Sequence, residues 1–316
     1  MSNKNLLSGR DKELQELAEQ YEAAMAENKP FYQDADELAD LADWYGTKKR
    51  YDKAFEIAEY GLKLHPDSTE LMIEYAYLHL DNGKKAKARE IIENLPDTYS
   101  PEAKVVRAHL LLSEGKLDDA EQLLDTIEDK ADLANVVDVS YMYLDMGYPD
   151  KALAWLDPVK EEYSDEEAYI AVVADCLYGK GMTEEAIPLY NRLIDMNPYS
   201  APYWFGLARC HFEEMNFNQA IDACDYALVG DDEFADAYVM KGHCFYQLGN
   251  EDAALEYYQK AEELHGLAPE FIYTYIGLCK VSKGEWKEGY ENLEKAILEN
   301  ETDEIASPIL PILYAN

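Results

Sequence analysis

The chain has 316 residues, 48% of them hydrophobic, enough apolar material for a substantial core and too much for a disordered chain. Its 65 acidic and 28 basic side chains give a formal net charge of -37, which repels phosphate backbones and anionic lipid and so excludes nucleic acid and membrane surfaces as expected partners. The same charge either serves solubility alone or steers a basic peptide or protein segment toward the surface, with an attraction that salt weakens.

In chain order, Met1 to Leu7 contain no apolar stretch of the kind a secretory leader needs, and no later run reaches the roughly 20 apolar residues that span a bilayer. A cytoplasmic protein is the default expectation. Residues 11–28, DKELQELAEQYEAAMAEN, predict an amphipathic helix with Leu14, Leu17, Tyr21 and Met25 on one face, ended by Pro30. Residues 1–34 thus read as an N-terminal capping helix over the units that follow, the alternative being a flexible tail.

From residue 35 a pattern repeats. Ala54, Ala88, Ala120, Ala152, Ala186, Ala220, Ala254 and Gly289 follow one another at intervals of 34, 32, 32, 34, 34, 34 and 35. Twelve residues ahead of each stands another small residue: Ala42, Ala76, Ala108, Ser140, Ala174, Ala208, Gly242 and Gly277. Five residues ahead of the first set, glycine recurs at 83, 115, 147, 181, 249 and 284. Only Ala, Gly or Ser fits where two helices cross close to their backbones, because a larger side chain forces them apart. A glycine between the two small positions closes the first helix in the left-handed conformation. Each unit is therefore a helix A, a short turn and a helix B.

Further residues sharpen the pattern: Leu38, Leu41, Ala42, Tyr45, Tyr51, Ala54 and Pro66 in the first unit, and Val173, Ala174, Gly181, Ala186, Tyr190 and Pro198 in the fifth. In the sixth they are Trp204, Leu207, Ala208, His211, Phe217, Ala220, Cys224, Ala227 and Leu228. In these positions the chain resembles the tetratricopeptide repeat family, whose period is 34 residues. The resemblance implies an all-α, right-handed superhelical solenoid of about eight helix-turn-helix repeats over residues 35–300, starting near 35, 69, 101, 133, 167, 201, 235 and 270. The second and third units are two residues short, a loss expected in the turn after helix B. Gly289 in place of the central alanine is expected to weaken its helix. Residues 301–316 end in the apolar SPILPILYAN, either a C-terminal cap or a truncated ninth repeat.

Side chains that could carry chemistry have simpler readings. Cys176, Cys210, Cys244 and Cys279 occupy one position in successive units, and stacked helix layers stand about 10 Å apart, beyond disulfide and metal-ligand reach. They read as small core residues in a reducing compartment. His211 and Glu214 share a helix face without a third ligand, and no phosphate-binding loop or nucleophile motif occurs. No enzyme activity, cofactor or metal is expected.

In the family that the chain resembles, helix A lines the concave face. The corresponding residues make an acidic first half, with Asp36, Asp40, Asp43, Glu70, Glu74, Tyr77 and Asp81, then His109, Asp138, Tyr141, Asp145, Asp175 and Tyr178. From the sixth unit onward they become Phe205, Arg209, Phe212, Met240, His243, Tyr246, Phe271 and Tyr275. Aromatic residues and arginine dominate binding energy at interfaces, although curvature could instead bury them against neighbouring helices. Some family members grip a C-terminal carboxylate with basic side chains. Here Ala39, Asp43, Glu74, Glu102 and Val106 stand at the comparable positions and would repel it. The expected function is a protein-interaction scaffold or adaptor, holding in its groove a peptide or protein segment whose basic part meets the acidic units and whose apolar part meets the aromatic ones. The competing expectation is a homo-oligomerising structural protein whose apolar ends stack.

Overall fold

A computed structural model describes residues 8–27, 29–264 and 269–299. The cap or ninth repeat expected over 301–316 lies outside the described residues. The chain divides into two compact units, Met1–Pro198 and Tyr199–Asn316.

In the first unit, α1 (Ser8–Ala26) is followed by α2 (Ala35–Thr47), α3 (Tyr51–Leu64), α4 (Thr69–Asp81), α5 (Lys85–Glu93), α6 (Pro101–Ser113) and α7 (Leu117–Leu124). Then come α8 (Leu133–Asp145), α9 (Pro149–Leu156), the short α10 (Lys160–Tyr163), α11 (Glu167–Gly179) and α12 (Thr183–Met196). The second unit holds α13 (Ala201–Glu213), α14 (Phe217–Gly230), α15 (Ala235–Gln247), α16 (Glu251–Glu263), α17 (Pro269–Ser282) and α18 (Trp286–Glu299). Among the described residues every regular element is helical, so the protein is all-α. Each helix A packs on the helix B after it, and the A helices α2, α4, α6, α8 and α11 also lie side by side.

Packing explains the period. Both sets of alanines from the first unit onward, and Ser140 with them, are fully buried where paired helices cross. The one hydroxyl in this series is satisfied, because Ser140 Oγ donates to the Ala152 carbonyl at 3.3 Å. Helix starts are marked by Ser68, Ser100, Asp132 and Asn250, whose side-chain oxygens accept from backbone N–H groups three residues on. Leu14, Ala18 and Tyr21 of α1 are buried in the same apolar cluster as Leu38, Leu41 and Ile57.

Two local expectations change. The shortened units lose their residues from helix B itself, since α5 has 9 residues and α7 has 8 against 14 in α3. Pro96 keeps Leu95 out of helical backbone, and in the third unit the chain turns at Asp125–Ile127. Gly289 does more than weaken its helix. A Cβ there would stand 2.7 Å from Val281 Cγ2 and 3.0 Å from the Gly277 carbonyl oxygen, so glycine permits a closer crossing of α17 and α18 than alanine allows.

Candidate functional site

In the first unit the A helices build a cavity of about 600 Å³. Helix α2 contributes Asp36, Asp40 and Asp43; α4 contributes Glu70, Glu74 and Tyr77; α6 contributes Glu102 and His109; and α8 contributes Asp138, Tyr141 and Asp145. Asp97, in the turn before α6, completes the wall. Among the described residues the lining holds six aspartates, three glutamates and neither lysine nor arginine. Its floor is apolar, with Ala39, Ile73, Val105 and Met142.

This concentration of charge shows in the titrating groups. Burial raises the Tyr77 hydroxyl well above its ordinary range, and the nearby charges of Asp138, Glu74, Asp145 and Asp81 raise it further. Asp145 is pushed up to about 6, first because the concave wall strips its hydration and then by Asp81 and Asp175, although it keeps an open face. Burial pushes His109 down to about 4, so at neutral pH the imidazole supplies no cation. Its ring lies 5.6 Å from that of Tyr77, and its Nδ1 has no hydrogen-bond partner.

Asp40, Asp43, Glu74, Tyr77, His109, Asp138 and Tyr141, all expected in the groove, thus meet in one cavity. Asp175 and Tyr178 do not line it. Asp175 instead accepts hydrogen bonds from Tyr190 at 2.7 Å and Tyr141 at 3.3 Å, holding the Tyr141 ring in place. Ile73 and Val105 join Ala39 in the lining because all three are the fifth residues of successive A helices, a register present in the sequence.

In the second unit Phe205, Arg209, Phe212, Met240, His243, Tyr246 and Tyr275 are all half-buried. Phe205 packs edge-on to Phe234 at 5.1 Å with the Arg209 guanidinium over its ring. Phe212 contacts Phe217 and His243, and His243 meets Tyr275 at 4.4 Å. His243 Nδ1 lies 2.7 Å from the Tyr258 hydroxyl, and burial pushes this imidazole down to about 4. Tyr246 reaches Ser282 at 3.4 Å. Phe212, His243 and Tyr275 therefore pack in sequence on one another, Phe205 pairs separately with Phe234, and each keeps part of its surface in solvent. Phe271 remains 45% exposed. Sequence reading missed a separate stack in this unit, in which Tyr257 lies between Tyr238 and Phe245 with Lys241 Nζ over its ring at 4.1 Å.

The five cysteines are free and buried, and burial pushes the Cys176, Cys244 and Cys279 thiols up to about 12. Among the described residues no three His, Cys, Asp or Glu side chains assemble as metal ligands, and no helix is long and apolar enough to cross a membrane.

The family described as Tetratricopeptide repeat matches residues 47–108, and the one described as Anaphase-promoting complex, cyclosome, subunit 3 matches residues 179–261. With the helix pairs and their buried small residues, these matches decide the family. The chain is a tetratricopeptide-repeat protein. No curated protein matches this repeat protein by sequence. A solved tetratricopeptide repeat protein from Parabacteroides merdae is 13% identical and superposes with a TM-score of 0.51 over 89% of this chain and 98% of that one. A thermophilic TPR protein from Thermus thermophilus is 16% identical over 58% of this chain and 98% of that one, with a TM-score of 0.49. A MamA protein is 22% identical over 56% of this chain and 94% of that one, with a TM-score of 0.45. At 13% identity the likeness to the Parabacteroides merdae protein is one of fold.

Proposed function

We propose that this repeat protein is a non-enzymatic interaction scaffold that holds a protein segment against its A helices. The tetratricopeptide-repeat fold supports a scaffold in general. The observation that carries the finer reading is the nine carboxylates that line this one cavity among the described residues. Such a wall raises the local concentration of cations and speeds the approach of a basic segment. The half-buried aromatic residues between Phe205 and Tyr275 are a second station, suited to an apolar part of the partner.

Each station has its own test. A peptide joining a run of lysines to a leucine-rich stretch is the probe, with association followed by surface plasmon resonance. Asp40→Lys with Glu74→Lys should slow association about tenfold and flatten its salt dependence. The same charge change at Glu184 and Glu185, exposed on α12, should alter it far less. Phe212→Ala with Tyr246→Ala should speed dissociation. Unchanged association in the first folded variant removes the acidic station, and unchanged dissociation in the second removes the aromatic one.

A further inference from the structure

The acidic cavity is periodic, and the period limits what can fill it. Ala39, Ile73 and Val105 are the fifth residues of α2, α4 and α6, so the apolar floor advances by one residue per helix layer. Carboxylates keep the same beat: Asp36, Glu70 and Glu102 are the second residues of those helices. Asp40, Glu74 and Asp138 are the sixth residues of α2, α4 and α8. Directly packed helices stand about 8–10 Å apart, so over α2, α4 and α6 an occupant meets one negative group and one apolar contact about every 9 Å.

Register disfavours a helical occupant, because an α-helix returns to the same face every turn, about 5.4 Å, and falls out of step with the layers. A flat β-strand returns to the same face every two residues, about 6.6 Å, and falls out of step with the layers. A polyproline-type chain returns every three residues, about 9.3 Å, and stays in step.

His109 is an independent pointer to a peptide. The residue is 7% exposed and lines the cavity, yet its Nδ1 has no hydrogen-bond partner. A buried ring nitrogen left unpaired costs about 1–3 kcal/mol. A polypeptide backbone offers both N–H and C=O, and so can pair that nitrogen in either tautomer after a small ring rotation.

We infer that the cavity takes an extended protein segment with a lysine or arginine at every third residue, one cation per helix layer, and small or aliphatic residues between them. This rests on the acidic-station reading above and adds the spacing of its ligand.

The test compares two peptides of identical composition on the full chain by calorimetry at low salt: lysine at every third residue among prolines, which hold the extended three-residue repeat, and the same lysines in one block. The spaced peptide should bind about tenfold tighter, and Glu74→Gln with Asp138→Asn should erase most of that advantage. Equal affinities, both lost in the Asp40→Lys and Glu74→Lys variant, would overturn the spacing and leave the acidic station standing. Failure of both peptides to bind would overturn both. Where the neutralised variant does not fold, the comparison on the unaltered chain decides alone.

Discussion

Met215 has φ 59°, at the turn position where glycine stands in six other units with φ between 69° and 80°. Lys49 takes the same conformation at φ 58°. The left-handed region costs a residue with a Cβ about 1–2 kcal/mol, and glycine gives back about 0.5–1 kcal/mol through its freer unfolded chain. Met215 is 76% exposed, so little packing is lost on its removal. Met215→Gly is expected to stabilise the protein by about 0.5–1 kcal/mol, read as a higher midpoint in urea. Asp145 carries a different cost. Its carboxyl stands at about 6 against an ordinary 3.8, so between those values the folded state binds more protons than the unfolded one. Stability therefore falls as pH rises through that window and stays reduced above it. Asp145→Asn should raise the Tm at neutral pH and leave it unchanged below the ordinary carboxylate range. A Tm gain that persists in acid would refute this origin.

Between elements, the crossing of α17 and α18 sets propensity against packing. Alanine gains about 1 kcal/mol over glycine inside a helix. At Gly289 its Cβ would press on a backbone carbonyl, which cannot turn aside as a side chain can. Overpacking of this kind costs about 1–3 kcal/mol, so Gly289→Ala should lower stability in denaturant titration despite the better helix former. Helix pairs were legible in sequence because a close crossing admits few residue types, and Ala54 and Ala42 announce it wherever they recur. The ends of the short B helices were not. Turn residues 125–127 contain neither glycine nor proline, and only the packing of the following helix shows where α7 stops.

For the whole molecule, a net charge of -37 is a repulsive load that folding must carry. Part of that load is concentrated in the first unit's cavity, at some expense to stability, as the raised Asp145 indicates. The carboxylates of the cavity were readable because residues on one face of helix A recur at fixed positions. Asp97 was not, because it belongs to a turn whose direction no helical period describes. Asp175 was readable as a groove position, but its engagement by Tyr141 and Tyr190 depends on α8 and α12 meeting beside it.

Sequence alone determined the helix pairs, their crossings and the sign of the charge on the first groove, since each follows from side-chain size or charge at a fixed helical period. Tertiary structure decided which carboxylates share a cavity, that His109 stands unpartnered among them, and that the aromatic residues of the second unit are half-covered by one another. Those outcomes depend on distances between helices remote in sequence, and such distances are set by packing that no local period encodes.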